Sequence, residues 1–182
     1  HAVALVSDGV RTTYGELRSR VAAARGALVA EGVRPGDRVA VVSENDPDFV
    51  VACLATLGVG GVLVPLNPQS PRAEIDPQLT DVGATLVLVG AAGQRLQIAA
   101  SRSVADLAGE PAPVVDRAPG DLAVLAFTSG TAGAPKAAML THGNLLANIE
   151  QVAQVADLRR RPDDVTLDLL PLFHVFGLNV VL

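Results

Sequence analysis

Leu122-Ala123-Val124-Leu125-Ala126-Phe127 is an unbroken apolar run that ends on Thr128-Ser129-Gly130-Thr131-Ala132-Gly133-Ala134-Pro135-Lys136. Apolar character at every position, rather than every second one, predicts a strand buried on both faces, as parallel strands lying between helices are. The same texture recurs in Val39-Ala40-Val41-Val42. Around these two, strands are predicted at Ala2 to Ser7, Arg38 to Val42, Gly61 to Pro65, Thr85 to Val89, Ala137 to Leu140 and Val165 to Leu169. Helical stretches alternate with them, which is the pattern of an α/β fold: mostly parallel sheets flanked by helices.

The helices have readable signals. Tyr14 to Glu31 carries Leu17, Val21, Ala24 and Leu28 at spacings of four and three, with Thr13 placed to cap its start and Gly32 to stop it. Asp46 is placed to cap a helix that has Pro47 at its first position, and Thr141 to cap another running through Leu145, Ile149 and Val152. Gly90 to Gly120 has the weakest periodicity and reads as a surface connection. Phe49 to Pro71 carries no charge, but its internal glycines and prolines break it into two buried elements rather than a membrane span.

Over 182 residues, 49% are apolar and only 18% charged, with a mean hydropathy of +0.38. This balance excludes intrinsic disorder and supplies a real core. Net charge is −5 and no basic stripe with interleaved aromatics exists, which argues against nucleic-acid binding. The lone Cys53 cannot form an internal disulfide and sits in an apolar run, as suits a reducing, cytoplasmic setting. No basic segment followed by an apolar core opens the given sequence, so neither a signal peptide nor a transit peptide is visible in it, though either could precede His1. His1 in place of Met, and an apolar end from Val175 to Leu182, suggest a fragment of a larger domain.

Three hydroxyls and two glycines fall between Thr128 and Gly133, closed by Pro135 and Lys136, the single lysine beside thirteen arginines. Glycines let backbone N–H groups approach an oxyanion, hydroxyls add donors, and the ammonium supplies a point charge. Each charge-assisted bond contributes about 1.5–3 kcal/mol. The loop departs from a Walker A motif, because Pro135 precedes the lysine where glycine is required and Ala137 follows it where Ser or Thr is required. A solvated Gly/Ser/Thr turn is the competing reading. Farther on, His174 stands among aromatics in Pro171-Leu172-Phe173-His174-Val175-Phe176 after a predicted strand, where side chains of an α/β sheet face a ligand crevice. A core histidine is the alternative there. Arg159-Arg160-Arg161 reads as a solvated turn, Glu16, Asp37 and Asp164 as caps or turn residues, and no Cys/His cluster has zinc-ligand spacing.

At these segments the chain resembles the adenylate-forming superfamily of acyl-CoA synthetases, peptide-synthetase adenylation domains and luciferases. Thr128 to Lys136 follows the family's Thr-Ser-Gly-Thr-Thr-Gly-x-Pro-Lys-Gly pattern, except for Ala132 in place of the second Thr and Ala137 in place of the final Gly. Leu140-Thr141-His142-Gly143-Asn144-Leu145 and Pro171-Leu172-Phe173-His174 look like the next family segments. Thr13-Tyr14-Gly15-Glu16-Leu17, Gly36-Asp37-Arg38-Val39-Ala40 and Leu63-Val64-Pro65-Leu66-Asn67-Pro68 are similar to earlier ones.

The resemblance implies that residues 1–182 are an incomplete N-terminal AMP-binding domain, lacking the rest of that domain and the small C-terminal one. It implies ATP-dependent activation of a carboxylic acid, a fatty acid in the first instance, to an acyl-adenylate, and then thioester formation with coenzyme A. By position, Thr128, Ser129, Gly130, Thr131, Gly133 and Lys136 would hold the β- and γ-phosphates, Thr128 would also touch Mg²⁺, and His174 would line the acyl pocket. The fragment alone is expected to be inactive. The competing classes are amino-acid or aryl-acid adenylation, a non-catalytic nucleotide-binding relative, and a dimerising unit that pairs through uncovered apolar surface.

Overall fold

The computed structural model describes residues 2–128, 136–155 and 164–181. The chain opens with an antiparallel hairpin of β1 (Val3–Ser7) and β2 (Val10–Thr13). Asp8 and Gly9 form its two-residue turn, both at positive φ (49° and 77°), which matches the twist of the strands they join. The first predicted strand therefore belongs to a separate two-stranded sheet and not to the interior one.

Thr13 then caps α1 (Tyr14–Ala30): its hydroxyl accepts from the Glu16 N–H at 3.2 Å, while the Glu16 carboxylate accepts from the Thr13 N–H and hydroxyl, both at 2.7 Å. The two bonds from Thr13 hold the Glu16 carboxyl below its ordinary pKa. Leu17, Val21, Ala24 and Leu28 are all buried, as their spacing requires.

β3 (Arg38–Val42), α2 (Pro47–Gly58), β4 (Val62–Leu66), α3 (Arg72–Asp81) and β5 (Leu86–Val89) follow. Next come a short α4 (Ala91–Gln94), β6 (Arg102–Ser103) and a single 3-10 turn (Val104–Asp106). β7 (Leu122–Thr128), β8 (Lys136–Thr141), α5 (His142–Gln154) and α6 (Val175–Val181) complete the order. The main sheet runs β6-β5-β3-β4-β7-β8, with every described pair parallel except β7–β8. The expected α/β class with a mostly parallel sheet is what the structure shows.

Alternation along the strands sorts side chains onto two covered faces. Val39, Val41, Leu63, Leu88 and Val124 join residues of α1 and α2 in one cluster. Ala40, Val42, Val62, Val64 and Leu125 join Ile75 of α3 and Ile98 in the other. The uncharged Phe49–Pro71 stretch is thus α2 plus β4, and no helix among the described residues is long and apolar enough to cross a membrane. Cys53 is buried in α2, and burial pushes its thiol up to about 12, so it behaves as a small apolar side chain.

Two expectations need correction. Val165 to Leu169 forms no strand: it pairs with no strand among the described residues, and Val165, Leu167 and Leu169 are 92%, 77% and 78% exposed. Alternating apolar residues make a strand only when a neighbouring strand supplies the ladder. Gly90 to Gly120 is more than a surface connection, since it contributes α4, β6 and the 3-10 turn and buries Ile98 and Val104.

Its later part straps across the helices. The Val115 N–H donates to the Gly58 carbonyl at 2.8 Å, and Arg25 Nε donates to the Ala112 carbonyl at 2.9 Å. Gly26 sits under this strap, and a Cβ there would overlap the Glu110 carbonyl oxygen. On a solvated helix Gly→Ala stabilises by about 1 kcal/mol. Here the overlap should reverse the sign, so Gly26→Ala is expected to destabilise by about 1–3 kcal/mol in urea unfolding. A stabilised variant would mean that the strap does not dock on α1.

Candidate active site

The carboxyl ends of the parallel strands line up. Val42 pairs with Leu66 on one side and Val89 on the other, and Leu63 pairs with Val124, a register that extends to place Phe127 beside Leu66. Thr128 lies one residue past that row and Asn45 three residues past it, on strands about 10 Å apart across β4. This is the edge at which open α/β sheets bind ligands.

Thr128 and Lys136 face each other as the last pair of the β7–β8 ladder. Both are exposed, and the Thr128 hydroxyl donates to the Lys136 carbonyl at 3.3 Å. Among the described residues no carboxylate pairs with the Lys136 ammonium. A hydroxyl and a cation without a carboxylate partner among the described residues thus stand at the paired ends of β7 and β8, which suits a polyphosphate. Ser129, Gly130, Thr131 and Gly133, named from the sequence, lie outside the described residues, as does the Arg159-Arg160-Arg161 run.

His142 belongs elsewhere. Thr141 pairs with Leu122 at the opposite end of β7 from Thr128, so the first turn of α5 stands about 20 Å from the hairpin mouth. The His142 N–H donates to the Asp121 carbonyl at 3.0 Å, and burial together with the nearby Arg117 lowers its imidazole pKa.

His174 sits in a hook before α6. Its N–H donates to the Pro171 carbonyl at 3.0 Å, and its own carbonyl accepts from the Leu178 N–H at 2.9 Å. Leu172 and Leu178 are buried in the main core, whereas His174 is exposed, with its ring 5.2 Å from that of Phe173. The core-histidine reading therefore does not hold. Gly177 packs so closely on the Pro171 carbonyl that no Cβ would fit.

One residue absent from the sequence reading ties this hook to the sheet. Asn45, in the β3–α2 turn, donates from Nδ2 to the Leu170 carbonyl at 2.7 Å and to Asp168 Oδ2 at 3.1 Å, and its Oδ1 accepts from the Leu172 N–H at 2.8 Å. In sequence, Asn next to a capping Asp reads only as a turn residue, so nothing local signals the contact. Burial raises the Asp168 carboxyl above its ordinary pKa, partly offset by the Leu170 N–H. The structure places Thr128 and Lys136 together and sets His174 on the same edge of the sheet, through a residue after β3.

Comparison with known proteins gives the family. The family model described as "AMP-binding enzyme" matches residues 1–182. A feruloyl-CoA synthase from Amycolatopsis sp is 38% identical over 100% of this chain, which spans 38% of that relative's length. The 4-coumarate–CoA ligase 5 of Oryza sativa subsp. japonica is 32% identical over 97% of the chain, which spans 36% of it. The crystal structure of ATP-bound MatB from Rhodopseudomonas palustris superposes with a TM-score of 0.84 at 32% identity, covering 99% of this chain and 39% of that one. With the motif, the sheet and the whole-length match in agreement, the chain belongs to the AMP-binding family of adenylate-forming enzymes.

Proposed function

We propose that the whole protein carrying this chain is an acyl-CoA synthetase. A carboxylate oxygen of the acid attacks the α-phosphorus of ATP, and the bond to the bridging oxygen breaks to release pyrophosphate. The thiol of coenzyme A then attacks the acyl carbonyl, loses its proton and displaces AMP. A carboxylate is a poor acylating agent, and the mixed anhydride gives it a good leaving group.

The observation that carries this reading is the Thr128–Lys136 pair at the carboxyl edge of a parallel sheet. Lys136 and Thr128, with Ser129, Gly130, Thr131 and Gly133, hold the β- and γ-phosphates in this proposal. The Thr128 hydroxyl would be a ligand for Mg²⁺, whose charge would help neutralise the phosphates. His174, exposed on the same edge, lines the acyl pocket. The names of the relatives favour a phenylpropenoic acid over the fatty acid first expected, and the buried Cys53 suits a cytoplasmic setting. The exposed Met139, Leu146 and Ile149 give the isolated chain an apolar flank that favours self-association.

The test is acid-dependent ATP–pyrophosphate exchange by the whole protein with ferulate, decanoate and a mixture of amino acids. Exchange is expected with ferulate and not with amino acids, and none is expected from the 182 residues alone. Decanoate-only exchange would restore the fatty-acid assignment. Nucleotide binding without exchange for any acid would make the protein a non-catalytic relative.

A further inference from the structure

We propose that Asn45 is a positioning residue that sets where His174 stands on the carboxyl edge of the sheet. The inference rests on the reading of His174 as lining the acyl pocket. Asn45 bridges parts of the chain far apart in sequence, with partners 123, 125 and 127 residues away. Both donor bonds and the acceptor bond are made, to Asp168, Leu170 and Leu172, immediately before the hook.

Each side of this clamp is stiff. Behind Asn45, the Ser43 hydroxyl donates to both Asp46 carboxylate oxygens at 2.9–3.0 Å, and Asp46 Oδ1 caps α2 through the Phe49 N–H at 2.7 Å. Ahead of it, buried Leu172 and the Pro171–His174 bond pass the backbone position to the histidine within two residues. The preceding 165–169 run pairs with no strand among the described residues. Among the described residues Asp168 Oδ1 is buried without a hydrogen-bond partner, and the carboxylate's other oxygen accepts from the Asn45 amide.

The chemistry dictates the order of variants. Asn45→Ala removes three bonds. Asn45→Asp keeps an acceptor for the Leu172 N–H but turns a carboxylate toward the Leu170 carbonyl and the Asp168 carboxylate, so it is worse. Adding Asp168→Asn supplies a donor from the opposite side and restores all but the Leu170 bond.

The experiment uses the whole protein, isotopically labelled, as wild type, Asn45→Ala, Asn45→Asp and the Asn45→Asp/Asp168→Asn swap. Amide exchange at Leu172 should speed up tenfold or more in Asn45→Ala and further in Asn45→Asp. It should return to within about threefold of wild type in the swap, while exchange in β3 and β4 stays unchanged. The His174 imidazole resonance should move in the same order. In ferulate-dependent pyrophosphate release, Asn45→Ala should lower kcat tenfold or more, leave KM for ATP within twofold, and be bettered by the swap. An unaltered Leu172 amide and imidazole would overturn the proposal, as would a freed amide with wild-type kcat where His174→Ala is impaired. If the wild type releases no pyrophosphate, the adenylation reading fails, and the exchange and imidazole data alone decide whether Asn45 positions His174.

Discussion

Replacing Lys136 with alanine in the whole protein should lower acid-dependent pyrophosphate exchange by about a hundredfold or more, with little change in thermal stability. The ammonium is exposed at the hairpin mouth opposite Thr128 and has no carboxylate partner among the described residues, so the fold does not depend on it. Its charge is free to offset the charge that moves onto the β- and γ-phosphates as pyrophosphate leaves. Removing one preorganised donor of this kind typically costs about 10²–10³ in rate. Lys136→Arg keeps the charge but exchanges a compact ammonium for a planar fork, so intermediate activity is expected. Wild-type exchange from Lys136→Ala would show that the phosphates lie elsewhere.

The largest effect on stability should come from Phe49→Ala. Phe49 is fully buried in the first turn of α2, in the cluster that also holds Leu28, Val41, Leu63 and Leu88, and its N–H is the one Asp46 caps. Truncating a buried phenylalanine costs about 3–5 kcal/mol through lost burial and the cavity left behind. Against a typical net stability of about 5–15 kcal/mol, that is enough to shift the unfolding midpoint by a large fraction of its value. Phe49→Leu should cost less, about 1–2 kcal/mol, since most of the volume is kept. Urea unfolding of both variants checks the ranking. Equal losses would mean that the helix start, and not the side chain's volume, is what matters.

How much of this was legible in the sequence depended on whether a signal was local. The continuous runs at 39–42 and 122–127 identified buried parallel strands, and Thr13, Asp46 and Thr141 marked helix starts because capping is a contact within a few residues. The two-residue Asp8-Gly9 turn is also a local signal, but a turn shows only that its two strands pair and not which sheet they join, so β1 reads equally as an interior strand. α3 was hidden by its internal Pro77 and by having a single buried residue, Ile75. Its Arg72 is instead bound to Asp76 and to the Leu96 and Gln97 carbonyls. Val165 to Leu169 misled because its alternation is genuine, yet it pairs with no strand among the described residues.

The site shows the same division. Lys136 and Thr128 stand eight residues apart in one glycine-rich hairpin, so composition alone exposed them. Asn45 works across more than 120 residues, and no window of sequence contains both it and the backbone it holds.

The account stands most directly on whether the hairpin around Lys136 grips the polyphosphate of ATP, which NMR on the ¹⁵N-lysine-labelled whole protein measures once the Lys136 signal is assigned by its loss in Lys136→Arg. Titration with Mg-ATP should move the Lys136 side-chain signal, inorganic pyrophosphate should move it in the same direction, and AMP, which lacks the β- and γ-phosphates, should leave it nearly in place. A Lys136 signal that stays fixed at ATP concentrations saturating the adenine contacts would contradict the account.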